Sequence, residues 1–521
     1  MVEAIGLGDR TTGIELLDQQ TLALPCESQR RLRSTAQGVD RQFHLRGRFH
    51  PNHDGAGIRI TGIRLGVVHA DGERPINRGP LPQQQQIRRP LLTRRSMAFL
   101  QLGRGGKRQH QAQRRDRGRT PKSNSHRSSL QCRLPAWELM ANPVIYLDHQ
   151  ATTPCEAAVV EAMAPWWNEW FANPASRGHR PGLQAAAAVE QARQQIAALL
   201  GVAAPELVFT HGATEANNLA IKGLAEAELE RGGARRHLVT LATEHQAVLA
   251  PLRYLSRHGF ALTVLPVDRN GLVAPEQLQA ALRPDTLLVS VMAANNEIGV
   301  LQPLGAIGAL CRKHGAYFHC DGAQAVGHMA LPLEELGIDL LSFSGHKLYG
   351  PKGIGALVVR AGVTLLPQMH GGRQEQGLQA GTLAVPLIVG LAAALQLCCS
   401  DQQARNQQLA QLRDRLWQGC QALGDVQRNG AATPRLAHNL NITVNGVDGN
   451  ALHRTLRRHL AVSSGSACAS GAPSHVLQAI GLSRQQAAAS IRFGLGRRTS
   501  PSDIDSACTL LQHCVEQLRH H

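Results

Sequence analysis

The chain has 521 residues, 43% of them apolar, and 55 Lys and Arg against 38 Asp and Glu, a formal net charge of +17. That apolar share excludes a chain disordered throughout, and the length predicts more than one domain. Eleven scattered cysteines fit reduced thiols in a cytoplasmic protein better than a disulfide scaffold, and the lack of any run of about 18 apolar residues predicts a soluble protein without a membrane span.

Residues 1–139 hold 25 of the basic and 11 of the acidic side chains, so the rest of the chain, with 30 and 27, is nearly neutral. The positive charge therefore belongs to an N-terminal extension and does not predict nucleic acid as a partner of residues 140–521. Residues 57–69 alternate weakly, as a hairpin would. Residues 83–133 are dense in Arg, Gln, Gly and Ser, as in Gln83-Gln84-Gln85-Gln86 and Arg114-Arg115-Asp116-Arg117. Such a stretch buries too little apolar surface to offset its ordering entropy, and the extension is expected to be disordered. A nucleic-acid-binding arm, an organelle-targeting extension and sequence upstream of a start at Met140 all remain open. The well-patterned Val144-Ile145-Tyr146-Leu147 just after Met140 favours the last.

From Met140 the texture becomes that of an α/β protein. Residues 182–200 place Leu183, Ala187, Val189, Ala192, Ile196 and Leu199 on one side of a helix. Short apolar runs come next at 206–210, 237–241, 262–267, 286–292, 316–320, 339–344 and 356–359, several separated by helical stretches such as 303–314. Buried strands alternating with helices predict a mostly parallel sheet. Beyond Pro386 the pattern is helical to about Leu423, with a polar second half. The last hundred residues mix strands (439–444, 461–464, 490–495) with helices, as in a smaller α+β domain. The expected division is an extension at 1–139, a large domain at 157–400, and a small domain built from 140–156 and 401–521.

Ligands of open α/β sheets bind beyond the carboxyl ends of the strands, so the residues after each run carry the functional expectation. These are His211-Gly212-Ala213-Thr214-Glu215, Thr243-Glu244-His245, Asn295-Asn296-Glu297, Asp321-Gly322-Ala323-Gln324 and Ser344-Gly345-His346-Lys347. Singly, each has a plain structural explanation as a helix start or cap. Together they offer a helix-terminus phosphate cradle, an acid for a ring nitrogen and a lysine able to form a Schiff base, the set that pyridoxal phosphate requires. With six lysines in the chain, Lys347 has few rivals. Residues 463–472 are Ser, Gly and Ala around one thiol, Cys468. That composition suits either a tight-packing loop or a nucleophile that swings to a bound substrate.

These residues resemble the group I cysteine desulfurases of the NifS/IscS-like kind, within the class V aminotransferase-like pyridoxal phosphate enzymes. The resemblance runs from about Ile145 to Leu518 and includes Tyr146-Leu147-Asp148-His149-Gln150-Ala151-Thr152-Thr153-Pro154, Asn173-Pro174-Ala175-Ser176, the clusters above and Ser463-Ser464-Gly465-Ser466-Ala467-Cys468. It implies the fold type I architecture of that group and pyridoxal 5'-phosphate as cofactor. It further implies that Lys347 tethers the cofactor and moves protons, that Asp321 pairs with the ring nitrogen, that Gln324 bonds the phenolic oxygen, and that His245 stacks on the ring and shuttles protons. Ala213, Thr214, Ser344, Gly345 and His346 correspond to phosphate-side positions, and Thr382 to a threonine that reaches the partner subunit's cofactor in a homodimer. Asn296, Arg492 and Asn173 correspond to positions near the cofactor and the substrate carboxylate. The implied reaction is L-cysteine to L-alanine with a persulfide on Cys468, whose sulfur passes to an iron–sulfur scaffold or another acceptor protein. No metal site of the chain's own is implied; a metal enters only where that persulfide meets a scaffold cluster.

The chain departs from the family at Gln379-Ala380-Gly381-Thr382, where Arg-x-Gly-Thr is usual. That departure bears on one inter-subunit or surface contact, not on the cofactor. Two alternatives stand beside this reading: a selenocysteine lyase or related cysteine lyase on the same scaffold, and a basic nucleic-acid-binding protein with an inactive enzyme-like domain.

Overall fold

The computed structural model describes residues 144–464 and 473–520, and the backbone of four strands nearer the N-terminus. The chain divides into two compact units, Met1–Asn124 and Ser125–His521. In the first, strands β1 (Glu15–Leu16), β2 (Ser28–Ala36), β3 (Val39–Pro51) and β4 (Ile58–Val68) pair antiparallel in sequence order. The weakly alternating stretch at 57–69 coincides with β4, which pairs with β3. Residues 83–133 lie outside the described residues.

In the second unit the seven apolar runs become seven strands of one sheet. They are β6 (Leu207–Thr210), β7 (His237–Leu241), β8 (Ala261–Leu265), β9 (Thr286–Ser290), β10 (Tyr317–Asp321), β11 (Leu340–Ser344) and β12 (Gly355–Val359). A short β5 (Ile145–Tyr146) precedes them. The order is β6-β12-β11-β10-β9-β7-β8, with β12 alone running antiparallel to its neighbours. Both faces are covered, which explains why the runs are continuously apolar. Successive side chains enter opposite cores. Leu341 and Phe343 of β11 pack with Phe209, Val239 and Phe318, whereas Leu340 packs with Val208, Leu238, Leu288 and Leu357.

Helix α1 (Arg180–Leu200) forms on its apolar stripe, burying Ala185, Val189, Ala192 and Ile196. His179 Nδ1 caps its first turn by accepting from the Gly182 amide, and Gly201 ends it in the left-handed conformation. Helices α2 (Ala213–Glu230), α3 (Gln246–Ser256) and α4 (Leu304–His314) cover the sheet. The helical stretch after Pro386 is two helices, α5 (Val385–Ser400) and α6 (Gln402–Gln421), bent by 71° at Asp401. The bend falls where the apolar composition of α5, buried against the large core, gives way to the polar surface of α6. Among the described residues no single helix is long and apolar enough to cross a membrane.

A separate core gathers Leu147 with Leu409, Leu416, Ile442, Phe493 and Leu511. It is built on the antiparallel sheet of β13 (Val426–Arg428), β14 (Asn439–Val444) and β16 (Ser490–Gly494), with α6 and the terminal helix α7 (Pro501–Arg519). Strand β15 (Leu460–Ala461) pairs with β5, so the segment around residue 147 shares the core of the last hundred residues.

Candidate active site

The carboxyl ends of β6, β7, β9, β10 and β11 open on one edge of the sheet, and the five polar clusters lie at or within five residues of them, the Asp321 and Ser344 clusters beginning on the last residue of β10 and β11. Ser344 ends β11, and the single 3₁₀ turn Gly345–Lys347 presents the lysine. Lys347 Nζ donates to the Gln150 carbonyl and, at 2.8 Å, to the Ala151 carbonyl. Gln324 Nε2 donates to the same Gln150 carbonyl at 3.1 Å. The segment 150–153 therefore ties the Lys347 and Asp321 turns together, and Thr153 extends it by donating its amide (3.0 Å) and hydroxyl (2.9 Å) to the His346 carbonyl.

Asp321, the last residue of β10, is 5% exposed. One carboxyl oxygen accepts from Asn217 Nδ2 at 2.8 Å and the other from the Ala323 amide at 2.9 Å. Asn217 lies one turn inside α2, fully buried among Ala216, Leu219 and Ala220. His245 caps α3, its Nδ1 accepting from the Ala247 amide at 3.1 Å. The neutral ring then carries its proton on Nε2. Burial holds His245 below the usual imidazole range; the nearby Asp321 opposes that shift, while Lys347 and His475 add to it. His346, whose Nδ1 meets Thr152 Oγ1 at 3.2 Å, is pushed down to about 4 by burial and by Lys347 and Lys352. Both rings are neutral near pH 7.

The residues present fit a phosphorylated ring. Gly212 caps α2 with φ +140°, and a Cβ there would stand 3.6 Å from Ser344 Oγ, between the helix N-terminus and the residues after β11. At Gly355 a Cβ would stand 2.7 Å from the Gly212 Cα, so β12 closes the back of the same cradle. Ala213 and Thr214 begin the helix there, offering main-chain N–H groups and a hydroxyl. Among the described residues no group of three or more His, Cys, Asp or Glu is arranged to hold a metal ion.

Arg492, on β16, is 2% exposed. Its guanidinium donates to Asp148 Oδ1 at 2.7 Å and to the Asn296 carbonyl at 3.0 Å, while its Nε has no partner among the described residues. A buried guanidinium with a donor to spare is suited to a carboxylate. Cys468 lies outside the described residues, but the chain on either side of it is fixed at this site. Ser463 pairs with Arg492 through main-chain bonds of 3.3 and 2.7 Å. On the other side Ser474 Oγ donates to Glu297, and His475 Nε2 donates to the Glu244 carbonyl at 2.9 Å.

Two expected residues are not brought into this group. Asn173 is exposed, its Oδ1 accepting from the Ala175 amide at 2.9 Å, and it lines a separate cleft of about 590 Å³ with Arg177, Arg193, Arg373 and Glu375. Thr382 is exposed after Gly381, whose φ is +117°. Asn217, Gln150, Asp148, Glu297 and Ser474 complete the site, and the sequence assigns none of them a role in it. Asp148 and Gln150 lie in the family-like stretch Tyr146–Pro154 and Glu297 in a strand-end cluster, while Asn217 left only an amide on the apolar side of a helix that begins at the cradle.

The Aminotransferase class-V family profile matches residues 145–506. The cysteine desulfurase IscS of Methylococcus capsulatus is 49% identical over 379 residues, covering 72% of this chain and 93% of the relative. The protein of the same name from Rickettsia akari is 46% identical over 380 residues, covering 72% and 92%. Of the solved structures, one described as a NifS-like protein superposes with a TM-score of 0.67 at 34% identity, covering 73% of this chain and all of its own. Another, described as SspA in complex with cysteine, gives 0.60 at 40% identity, covering 67% and 98%.

Proposed function

We infer the function from one premise: this chain belongs to the class-V aminotransferase family and, within it, to the IscS/NifS-like cysteine desulfurases. It is a pyridoxal-phosphate-dependent enzyme that converts L-cysteine to L-alanine and leaves the sulfur as a persulfide on Cys468. The observation that carries the assignment of residues is the convergence of Lys347, Asp321 and Arg492, with both flanks of the Cys468 segment fixed beside them.

The cofactor, when bound, would supply an electron sink that acidifies the substrate's α-carbon and accepts the electron pair left on carbon when the β-sulfur is taken. Asp321, oriented by Asn217 and the Ala323 amide, holds a proton at the ring nitrogen. The α2 N-terminus, Thr214, Ser344 and His346 hold the phosphate. Lys347 provides the covalent tether and moves the proton at the α-carbon. His245, neutral with Nε2–H, offers that N–H as a hydrogen-bond donor in the site. Arg492 and Asn296 take the substrate carboxylate, Arg492 through its planar fork. The Cys468 thiolate attacks the substrate sulfur: the carbon–sulfur bond breaks, a sulfur–sulfur bond forms, and a proton returned to carbon completes alanine. One cysteine and one thiol become one alanine and one persulfide, with no outside oxidant or reductant.

Iron–sulfur scaffolds and other sulfur-acceptor proteins are the proposed recipients. A homodimer is proposed because Thr382 and Asn173, both exposed within one subunit, would serve the partner's site. The cytoplasm, where thiols stay reduced, is the proposed location. The test is product analysis with L-cysteine and L-selenocysteine in turn. The reading requires alanine from L-cysteine in equal yield to transferable sulfur, and loss of both in Lys347→Ala along with the bound-cofactor absorbance. A protein that makes alanine only from L-selenocysteine would be a selenocysteine lyase instead.

A further inference from the structure

The turn that carries Lys347 is held through its main chain as well as through its amine. The Lys347 carbonyl lies 3.1 Å from His328 Nε2. The next carbonyl, Leu348, accepts from Cys398 Sγ at 3.2 Å, and the Tyr349 hydroxyl accepts from the Arg497 amide at 3.0 Å. His328 stands seven residues after Asp321, in the segment that leads away from β10. One ring therefore bridges the segment bearing the ring-nitrogen acid and the turn bearing the tethering amine.

His328 is 6% exposed, and its own position is fixed from several directions. Asn406 Nδ2 donates to its carbonyl at 2.7 Å, and the Arg405 guanidinium donates to the Gly327 carbonyl at 2.6 Å. Both come from α6, whose N-terminus is tied to Arg497 through Asp401. The His438 ring packs against His328 with centroids 4.5 Å apart. A carbonyl only accepts, so Nε2 of His328 carries the proton and the ring is a fixed neutral donor. Burial, with Arg405 and Arg497 on the same side, pushes its pKa down to about 4, against the opposing effects of the Lys347 carbonyl and Asp401. The donor state therefore persists through the neutral range.

We propose that His328 is a positioning residue for Lys347: by holding the Lys347 carbonyl it sets the distance between the lysine amine and the Asp321 segment. The proposal rests on the desulfurase reading for what the lysine does, but not for its own spectroscopic test. Misplacing a reacting group by about 1 Å costs up to roughly 100-fold in rate. His328→Leu removes the donor, His328→Asn removes it by shortening the reach while keeping a polar side chain, and His328→Gln places an amide N–H near the original Nε2.

Each variant is loaded with pyridoxal phosphate, its cofactor content measured, and the absorbance of the lysine-bound cofactor titrated against pH. The expected result is a shift of the titration midpoint in His328→Leu and His328→Asn, a kcat per bound cofactor lowered roughly 10-fold or more with KM within about twofold, and return of both toward wild type in His328→Gln. A merely structural role would lower the melting temperature yet leave midpoint and kcat per cofactor unchanged, and that result overturns the proposal. So does a folded His328→Gln as defective as His328→Asn. If His328→Leu does not fold, His328→Asn carries the comparison. Wild type that forms the lysine-bound cofactor but makes no alanine from L-cysteine would refute the desulfurase reading while leaving the titration decisive for His328.

Discussion

Asn217 shows how much of this site depends on residues that never touch the substrate. Its amide is the side-chain donor to Asp321, and the bond is buried, so removing it strands a carboxyl oxygen away from water. Asn217→Ala is expected to weaken cofactor retention and lower kcat about 10-fold, with KM for L-cysteine little changed; dialysis against buffer without cofactor and steady-state rates measure both. Arg492 makes the complementary case for the substrate. Its ion pair with Asp148 is almost wholly buried on the arginine side, and the fork geometry is what a carboxylate needs. Arg492→Lys keeps the charge and loses the fork, so KM is expected to rise about 10-fold or more while the cofactor absorbance stays; an unchanged KM would place the carboxylate elsewhere. Lys347 and Asp321 were legible in the sequence because each sits in a local motif at a strand end. Their partners were not. Asn217 lies 104 residues from Asp321, and Asp148 lies 344 from Arg492, so only the folded chain brings them together.

Strand β6, the Gly212 turn and helix α2 are the element on which cofactor binding depends most. Gly212 needs a φ of +140°, which a side chain rarely adopts, and any Cβ would enter the space beside Ser344 Oγ. Gly212→Ala is expected to raise the dissociation constant for pyridoxal phosphate by at least tenfold, from strain of about 1–3 kcal/mol and loss of phosphate room, as fluorescence titration of the apoenzyme would measure. The sheet itself was written plainly in the sequence: all seven apolar runs became strands, with ends within two residues of the expected ones. The reversed direction of β12 was not, because an apolar run carries no sign of direction. The break between α5 and α6 falls at Asp401, where the sequence placed the change to a polar helix and the domain boundary, but the bend itself left no sign, because it comes from packing against different cores. Both flanks of the Cys468 segment are anchored on these same elements. Ser463 is fixed on β16, and Ser474 and His475 on residues just past β9 and β7.

Across the whole molecule, burial of neutral histidines gives stability a pH dependence. Burial holds His149, His319 and His328 at about 4, and His438 well below its ordinary range. In the unfolded chain these rings protonate near 6.5. Because the folded values are the lower ones, stability is intact above about pH 6.5 and falls as the pH drops toward 4, by up to ~1.4 kcal/mol per pH unit for each ring. Glu244 and Asp339, raised by burial, act in the opposite direction, but the lowered histidines outnumber them, with His346 also at about 4 and His237, His245 and His453 shifted the same way. The urea midpoint of the apoenzyme is therefore expected to fall steeply between pH 6.5 and 5; a flat profile would mean these rings are not buried neutral. The net charge of +17 has little bearing on the enzyme, since most of the surplus lies in residues 1–139. The central claim is that one thiol receives the sulfur. Mass spectrometry of the protein after a single turnover with L-cysteine tests it most directly. The account predicts one added sulfur atom on the peptide containing Cys468, matched by one alanine, with that sulfur absent in Cys468→Ser although the cofactor absorbance remains. Full sulfur transfer in Cys468→Ser, or the added sulfur on a different cysteine, would contradict it.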